Sequence, residues 1–87
     1  MNWEEKNSKL TRTLKFKDFL QAVSFMKFAS EAIEELNHHP EWTNIYNKIE
    51  INLCTHDAGN SISSKDYELA ELIDQLFLKF INHDENI

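Results

Sequence analysis

Three of the four histidines fall in two short stretches, Asn37-His38-His39-Pro40-Glu41-Trp42 and Thr55-His56-Asp57. An imidazole with an unperturbed pKa of ~6.5 both gives and takes protons near neutrality. Three such groups beside carboxylates and an indole point to proton transfer on a flat, polar, ring-shaped substrate. A lone histidine at the end of a helix is ordinary stop chemistry, its ring bonding to unpaired carbonyls. Two histidines with a proline and a tryptophan, joined by His56 downstream, go beyond that. Asp57 can fix the tautomer of the adjacent ring, or it can bond to loop amides, as aspartate often does in turns.

Other chemistries fit less well. No His-x-x-x-His or Cys-x-x-Cys occurs, so no metal site is expected. Cys54 shares a strand face with His56, but no oxyanion loop or third orienting group accompanies them, and it reads as a small strand residue. His83 lies in the polar stretch Asn82-His83-Asp84-Glu85-Asn86 and reads as solvated surface. Trp42 and Tyr46 are candidates both for core packing and for the wall of a site that binds a ring.

The elements that must carry these residues are legible from periodicity. From Asp18 to Leu36 the apolar residues Phe19, Ala22, Val23, Phe25, Met26, Ala29, Ala32, Ile33 and Leu36 recur at helical spacing. They cover an arc of roughly 180°, wider than the ~100° stripe of an ordinary surface helix. The pattern returns from Lys65 to Ile81, where Ser63 and Asp66 form a variant of the capping box. Leu10, Leu14 and Phe16 alternate with Thr11, Thr13 and Lys15, with Arg12 interrupting the apolar side. A turn at Asn7-Ser8 can join this strand to a shorter one around Trp3. Trp42 to Tyr46 and Lys48 to Thr55 read as a hairpin around Asn47. In its second arm Ile49, Ile51, Leu53 and Thr55 share one face, and Glu50, Asn52, Cys54 and His56 the other. The expected architecture is therefore α+β: a four-stranded antiparallel sheet with two helices on its apolar face, in the order β-β-α-β-β-α.

Bulk properties narrow the function. The 87 residues are read as one domain spanning 1–87. A formal charge of −6, from fifteen acidic and nine basic residues, argues against binding nucleic acid or an anionic membrane surface. No apolar run approaches the ~18 residues of a membrane span, and the acidic start Met1-Asn2-Trp3-Glu4-Glu5 does not resemble a signal peptide. The single Cys54 excludes an internal disulfide and fits a reducing compartment. The expected location is the cytoplasm. The single glycine, Gly59, excludes a phosphate loop or a dinucleotide cradle. The wide apolar arcs of both helices imply an oligomer.

One spacing is specific. Glu34, three residues, His38-His39-Pro40, five residues, Tyr46, nine residues, His56 and then Asp66 resembles the signature of the pterin-4a-carbinolamine dehydratases. The similarity runs from Phe16-Lys17-Asp18-Phe19 through Thr55-His56-Asp57-Ala58-Gly59 to Asp66. It implies loss of water from a 4a-hydroxytetrahydropterin to give the quinonoid dihydropterin, in tetrahydrobiopterin recycling, with no metal or organic cofactor. It also implies a sheet with helices on one side and assembly as a homodimer or homotetramer. Carried over residue by residue, His38, His39 and His56 are the catalytic candidates. Asn37, His38, His39, Cys54, Thr55, His56 and Asp57 are the substrate-binding candidates; Trp42 joins them as the aromatic wall considered above, and Glu34 supports. His39 and His56 are taken as the main acid–base pair, His38 as positioning the pterin, and Asp57 or Glu34 as orienting an imidazole. Two features depart from the pattern: a helix common before the first strand has no counterpart ahead of Trp3, and Asn60 stands where a second glycine is common. The resemblance carries an alternative, since animal members also serve as dimerisation cofactors for a homeodomain transcription factor. Phe25, Phe28 and Leu72 are the candidates for such a surface.

Overall fold

The computed structural model describes residues 2–85, the last three as backbone only. The side chain of His83 thus lies outside the described residues. The elements follow in the expected order: β1 (Glu4–Lys6), β2 (Lys9–Lys15), α1 (Phe19–Leu36), β3 (Glu41–Ile45), β4 (Lys48–Leu53) and α2 (Ser64–Glu85). All neighbouring strands are antiparallel, in the spatial order β1-β2-β4-β3. The two longest strands thus sit in the centre and short ones form the edges.

Local chemistry explains each boundary. Asn7 and Ser8 connect β1 to β2 as a two-residue turn, both with positive φ (53° and 63°), as the right-handed twist of a hairpin favours. Asp18 caps α1 by accepting a bond from the Gln21 amide at 2.8 Å, which satisfies one of the donors left open at a helix start. Asn37 ends the helix in the left-handed region (φ 58°), its N–H bonded to the carbonyls of Ile33 and Glu34. Asparagine tolerates that conformation and Pro40 forbids a further turn. Ser63 and Asp66 form the capping box anticipated for α2: the Ser63 amide donates to Asp66 Oδ2 at 2.9 Å and the Lys65 amide donates to Ser63 Oγ at 3.3 Å.

The core lies between the apolar sheet face and the helices. Leu10, Leu14 and Phe16 from β2 and its end meet Ile49, Ile51 and Leu53 from β4, against Ala22, Phe25, Ala29 and Ile33 of α1 and Leu69, Ala70 and Ile73 of α2. Phe16 and Phe25 cluster with Phe77 and Phe80, mostly edge to face, the arrangement ring quadrupoles prefer. Arg12, the residue that breaks the alternation, turns inward without being orphaned. Its guanidinium pairs with Asp74, which also accepts from the Trp3 indole at 2.8 Å, and it lies over the Phe77 ring, 5.4 Å from the centroid.

Four expectations need adjustment. Phe25 is fully buried, so it cannot contribute to a docking surface; the apolar arc of α1 is split between a buried stripe and an exposed flank of Phe19, Val23 and Phe28. The second hairpin arm ends at Leu53 instead of Thr55, which survives only as an isolated bridge to Ser61. There the chain leaves the sheet for a short 3₁₀ turn, His56–Ala58. Finally, α2 runs past Ile81 to Glu85, because no glycine or proline interrupts the polar end.

Candidate active site

Two chain reversals bring the histidines together. The left-handed cap at Asn37 swings His38 and His39 off the end of α1, and the bridge Thr55–Ser61 holds the turn carrying His56 beside them. The two segments share a cleft of about 570 Å³ lined by Asn37, His38, His39, Cys54, His56 and Asn60, with Lys9, Glu41 and Asn52 toward the sheet. That volume lies within the ~300–1,000 Å³ typical of small-molecule sites.

Each ring is held by one nitrogen. His38 donates from Nε2 to Asp66 Oδ1 at 2.7 Å, and His39 from Nε2 to Glu34 Oε1 at 2.6 Å. His56 Nδ1 lies 2.6 Å from Asn60 Oδ1. A carboxylate or amide oxygen accepts, so each anchored nitrogen carries the proton, and the other nitrogen of each neutral ring presents a lone pair. His38 Nδ1, His39 Nδ1 and His56 Nε2 are thus the atoms left to take or, once protonated, give a proton.

The anchors differ in burial. Asp66 is fully buried and the His38 side chain is 16% exposed, whereas His39 and Glu34 stand in solvent at 59% and 76%. Asp66 also accepts from the Thr55 hydroxyl at 2.7 Å as well as from the Ser63 amide. Burial pushes its pKa up, but the bonds from His38, Ser63 and Thr55 outweigh it, leaving the carboxyl below the usual value. One carboxylate therefore starts α2, fastens the loop after β4 and fixes the His38 ring.

Some candidates lie elsewhere. Thr55 is buried, its hydroxyl bonded to Asp66 and, at 2.6 Å, to Ser63 Oγ, so it braces the loop. Asp57 is exposed on the 3₁₀ turn and does not line the cleft; Asn60, not Asp57, holds His56. Trp42 packs half-buried against the core and lines a separate groove with Ile33, Pro40 and His39. Tyr46 is exposed in the turn between β3 and β4. Among the described residues, no three His, Cys, Asp or Glu side chains converge as metal ligands do, and no helix is long and apolar enough to cross a membrane.

Sequence reasoning did not single out Lys9, Asn52, Asn60 or the pairing of Asp66 with His38. Strand alternation put Asn52 on the face of Cys54 and His56, a usable signal. Lys9 reaches the cleft only because β2 pairs with β4 in one register, in which Leu10 faces Leu53.

Comparison with known proteins identifies relatives of this chain. The family model described as pterin 4 alpha carbinolamine dehydratase matches residues 1–76. A protein of Solibacter usitatus bearing the name pterin-4-alpha-carbinolamine dehydratase is 50% identical over 74 residues, covering 85% of this chain and 77% of its own. One of the same name from Prochlorococcus marinus is 47% identical over 74 residues, covering 85% and 76%. Among solved structures, a transcriptional coactivator/pterin dehydratase from Brucella melitensis superposes with a TM-score of 0.77 at 36% identity, over 86% of this chain and 81% of that one.

Proposed function

The chain belongs to the pterin 4 alpha carbinolamine dehydratase family, and from that premise we propose that it is a hydro-lyase acting on 4a-hydroxytetrahydrobiopterin or a close relative. The reaction protonates the 4a-hydroxyl, which leaves as water, while a base removes the N5 proton and the electron pair closes the C4a=N5 bond of the quinonoid dihydropterin. The observation that carries this reading is the convergence of three singly anchored imidazoles on one cleft. His39 and His56, the more exposed rings, exchange the two protons. His38, locked to buried Asp66, positions the pterin. Each proton transfer typically contributes ~10²–10⁴-fold. No metal or organic cofactor takes part, the product returns to tetrahydrobiopterin through a reduction cycle, and the setting is the cytoplasm, where the lone Cys54 thiol stays reduced.

The direct test follows dehydration of an enzymatically generated 4a-hydroxytetrahydropterin with and without a chelator. The expected result is accelerated loss of the carbinolamine that the chelator leaves unchanged. A rate equal to the spontaneous one would overturn the reading, and inhibition reversed by zinc would overturn its metal-free form.

A second reading is a protein-binding role, favoured by the exposed apolar flank of Phe19, Val23 and Phe28 and by the coactivator half of the Brucella protein's description. A variant lacking all three cleft histidines separates the two. A binding module keeps its partner, and an enzyme loses turnover.

A further inference from the structure

We infer that Lys9 and Glu41 form a specificity pair that reads the 2-amino-4-oxo edge of the pterin, an inference that rests on the dehydratase reading of the cleft. Lys9 begins β2 and Glu41 begins β3, and β4 lies between them. Their side chains meet across that strand, Nζ to Oε1 at 3.4 Å. Strands are ~4.8 Å apart, so the two residues approach from roughly two strand spacings and bridge over β4, where Asn52 pairs with Glu41. Asn52 and Cys54 lie on one face of the chain and form the cleft floor with this pair. The histidines and Asn60 line the same cleft.

The bond pattern is complementary. With C4a and N5 at the histidines, O4 lies beside N5 and the 2-amino group lies on the far edge of the pyrimidine ring. That ring presents an acceptor, O4, beside two neighbouring donors, N3–H and the 2-amino group. Lys9 offers donors only and Glu41 acceptors only. A carboxylate can engage two adjacent N–H groups at once, which adds geometric specificity as well as strength. The pair can open to admit the ring. At 3.4 Å it is long, and the side chains are 37% and 68% exposed, so exposed charges of this kind hold one another weakly. Lys9 fits O4, and Glu41 fits N3–H and the amino group.

The test uses Lys9→Ala, Glu41→Ala and the charge-swapped Lys9→Glu/Glu41→Lys variant of the full chain. Turnover is measured together with calorimetric binding of 6,7-dimethyl-7,8-dihydropterin and of the same ring lacking the 2-amino group. Each alanine variant should raise KM about tenfold and leave kcat within about twofold, because the edge contact is made equally in ground and transition states. The wild type should favour the 2-amino compound about tenfold, and Glu41→Ala should erase that preference. The swapped variant restores an ion pair but reverses donor and acceptor, so it should bind as poorly as the alanine variants. Unchanged KM and binding in both alanine variants, or rescue by the swap, would overturn the proposal. Calorimetry reads the pair even where turnover is absent, so failure of the dehydratase reading and failure of this one remain distinguishable.

Discussion

Replacing Asp66 by asparagine should separate the structural and chemical duties of one carboxylate. In the wild type Oδ2 accepts from the Ser63 amide and the Thr55 hydroxyl, and Oδ1 faces His38 Nε2. The amide oxygen of the introduced asparagine can take over the Oδ2 bonds, but its NH₂ then points at His38. Two donors cannot share a bond, so His38 must move its proton to Nδ1, the nitrogen left for substrate. Exchanging bonds to a charged group (~1.5–3 kcal/mol) for neutral ones (~0.5–1.5) costs about 1–2 kcal/mol. At ~4–8 °C per kcal/mol for a domain this size, the melting temperature should fall by roughly 5–15 °C. Asp66→Ala keeps none of the bonds and leaves a fully buried site unfilled. Its cost should approach the ~3–5 kcal/mol of breaking a buried pair, a large part of the roughly 4–13 kcal/mol expected for 87 residues. A misassigned tautomer costs up to ~10⁴-fold in a serine-protease triad. For a ring that positions substrate we expect kcat/KM to drop by roughly 10–10³-fold in Asp66→Asn. Urea melts and steady-state dehydration kinetics on the same preparations read both quantities. An Asp66→Asn protein that loses stability as stated yet turns over like wild type would show that the carboxylate only caps α2, and the account of His38 would be wrong.

Because the folded-state pKa of Asp66 lies below its unfolded value, its contribution is fully present above pH ~3.9 and fades as pH falls through the folded value. The stability gap between wild type and Asp66→Asn should therefore narrow in acid, and urea midpoints measured from pH 6 down to pH 2 that stay parallel would contradict this. His39→Ala and His56→Ala should each lower kcat by about 10–10³-fold, and the double variant by less than the product, since groups acting as a unit are non-additive; strictly multiplicative losses would mean independent roles. Asp74→Ala should cost about 2–4 kcal/mol by orphaning both the Arg12 guanidinium and the Trp3 indole, with turnover of the remaining folded protein intact, as thermal melts and activity at low temperature would reveal. Light scattering at micromolar concentration should give a homodimer or homotetramer, which would cover the exposed Phe19, Val23 and Phe28; a stable mass near the 10.3 kDa of one chain would count against it.

What the sequence determined here is whatever depends on near neighbours along the chain. The alternation of Ile49, Ile51 and Leu53 with Glu50 and Asn52 set the buried face of β4, because a strand has a side-chain period of two. The recurrence of Ala22, Phe25, Ala29 and Ile33 placed α1, Asn37 and Pro40 marked the break after it, and Ser63 with Asp66 announced the start of α2. The spacing of the three histidines pointed to the family, although neither their convergence nor their anchors can be read from spacing. Tertiary structure decided matters in which a side chain has alternatives of similar local merit. Asp57 and Asn60 lie on either side of the same loop, and only the backbone turn through Gly59 and Asn60, both at positive φ, chooses Asn60 as the His56 partner. Arg12 reads as an error in an apolar pattern until Asp74, 62 residues away, turns it into a satisfied charge. Trp42 was equally suited to core and cleft, and the packing of β3 against α1 sent it away from the cleft. Lys9 carried no local sign of belonging to the site. The β2–β4 register put it there, and register is fixed by burial of a whole strand face rather than by any residue within it.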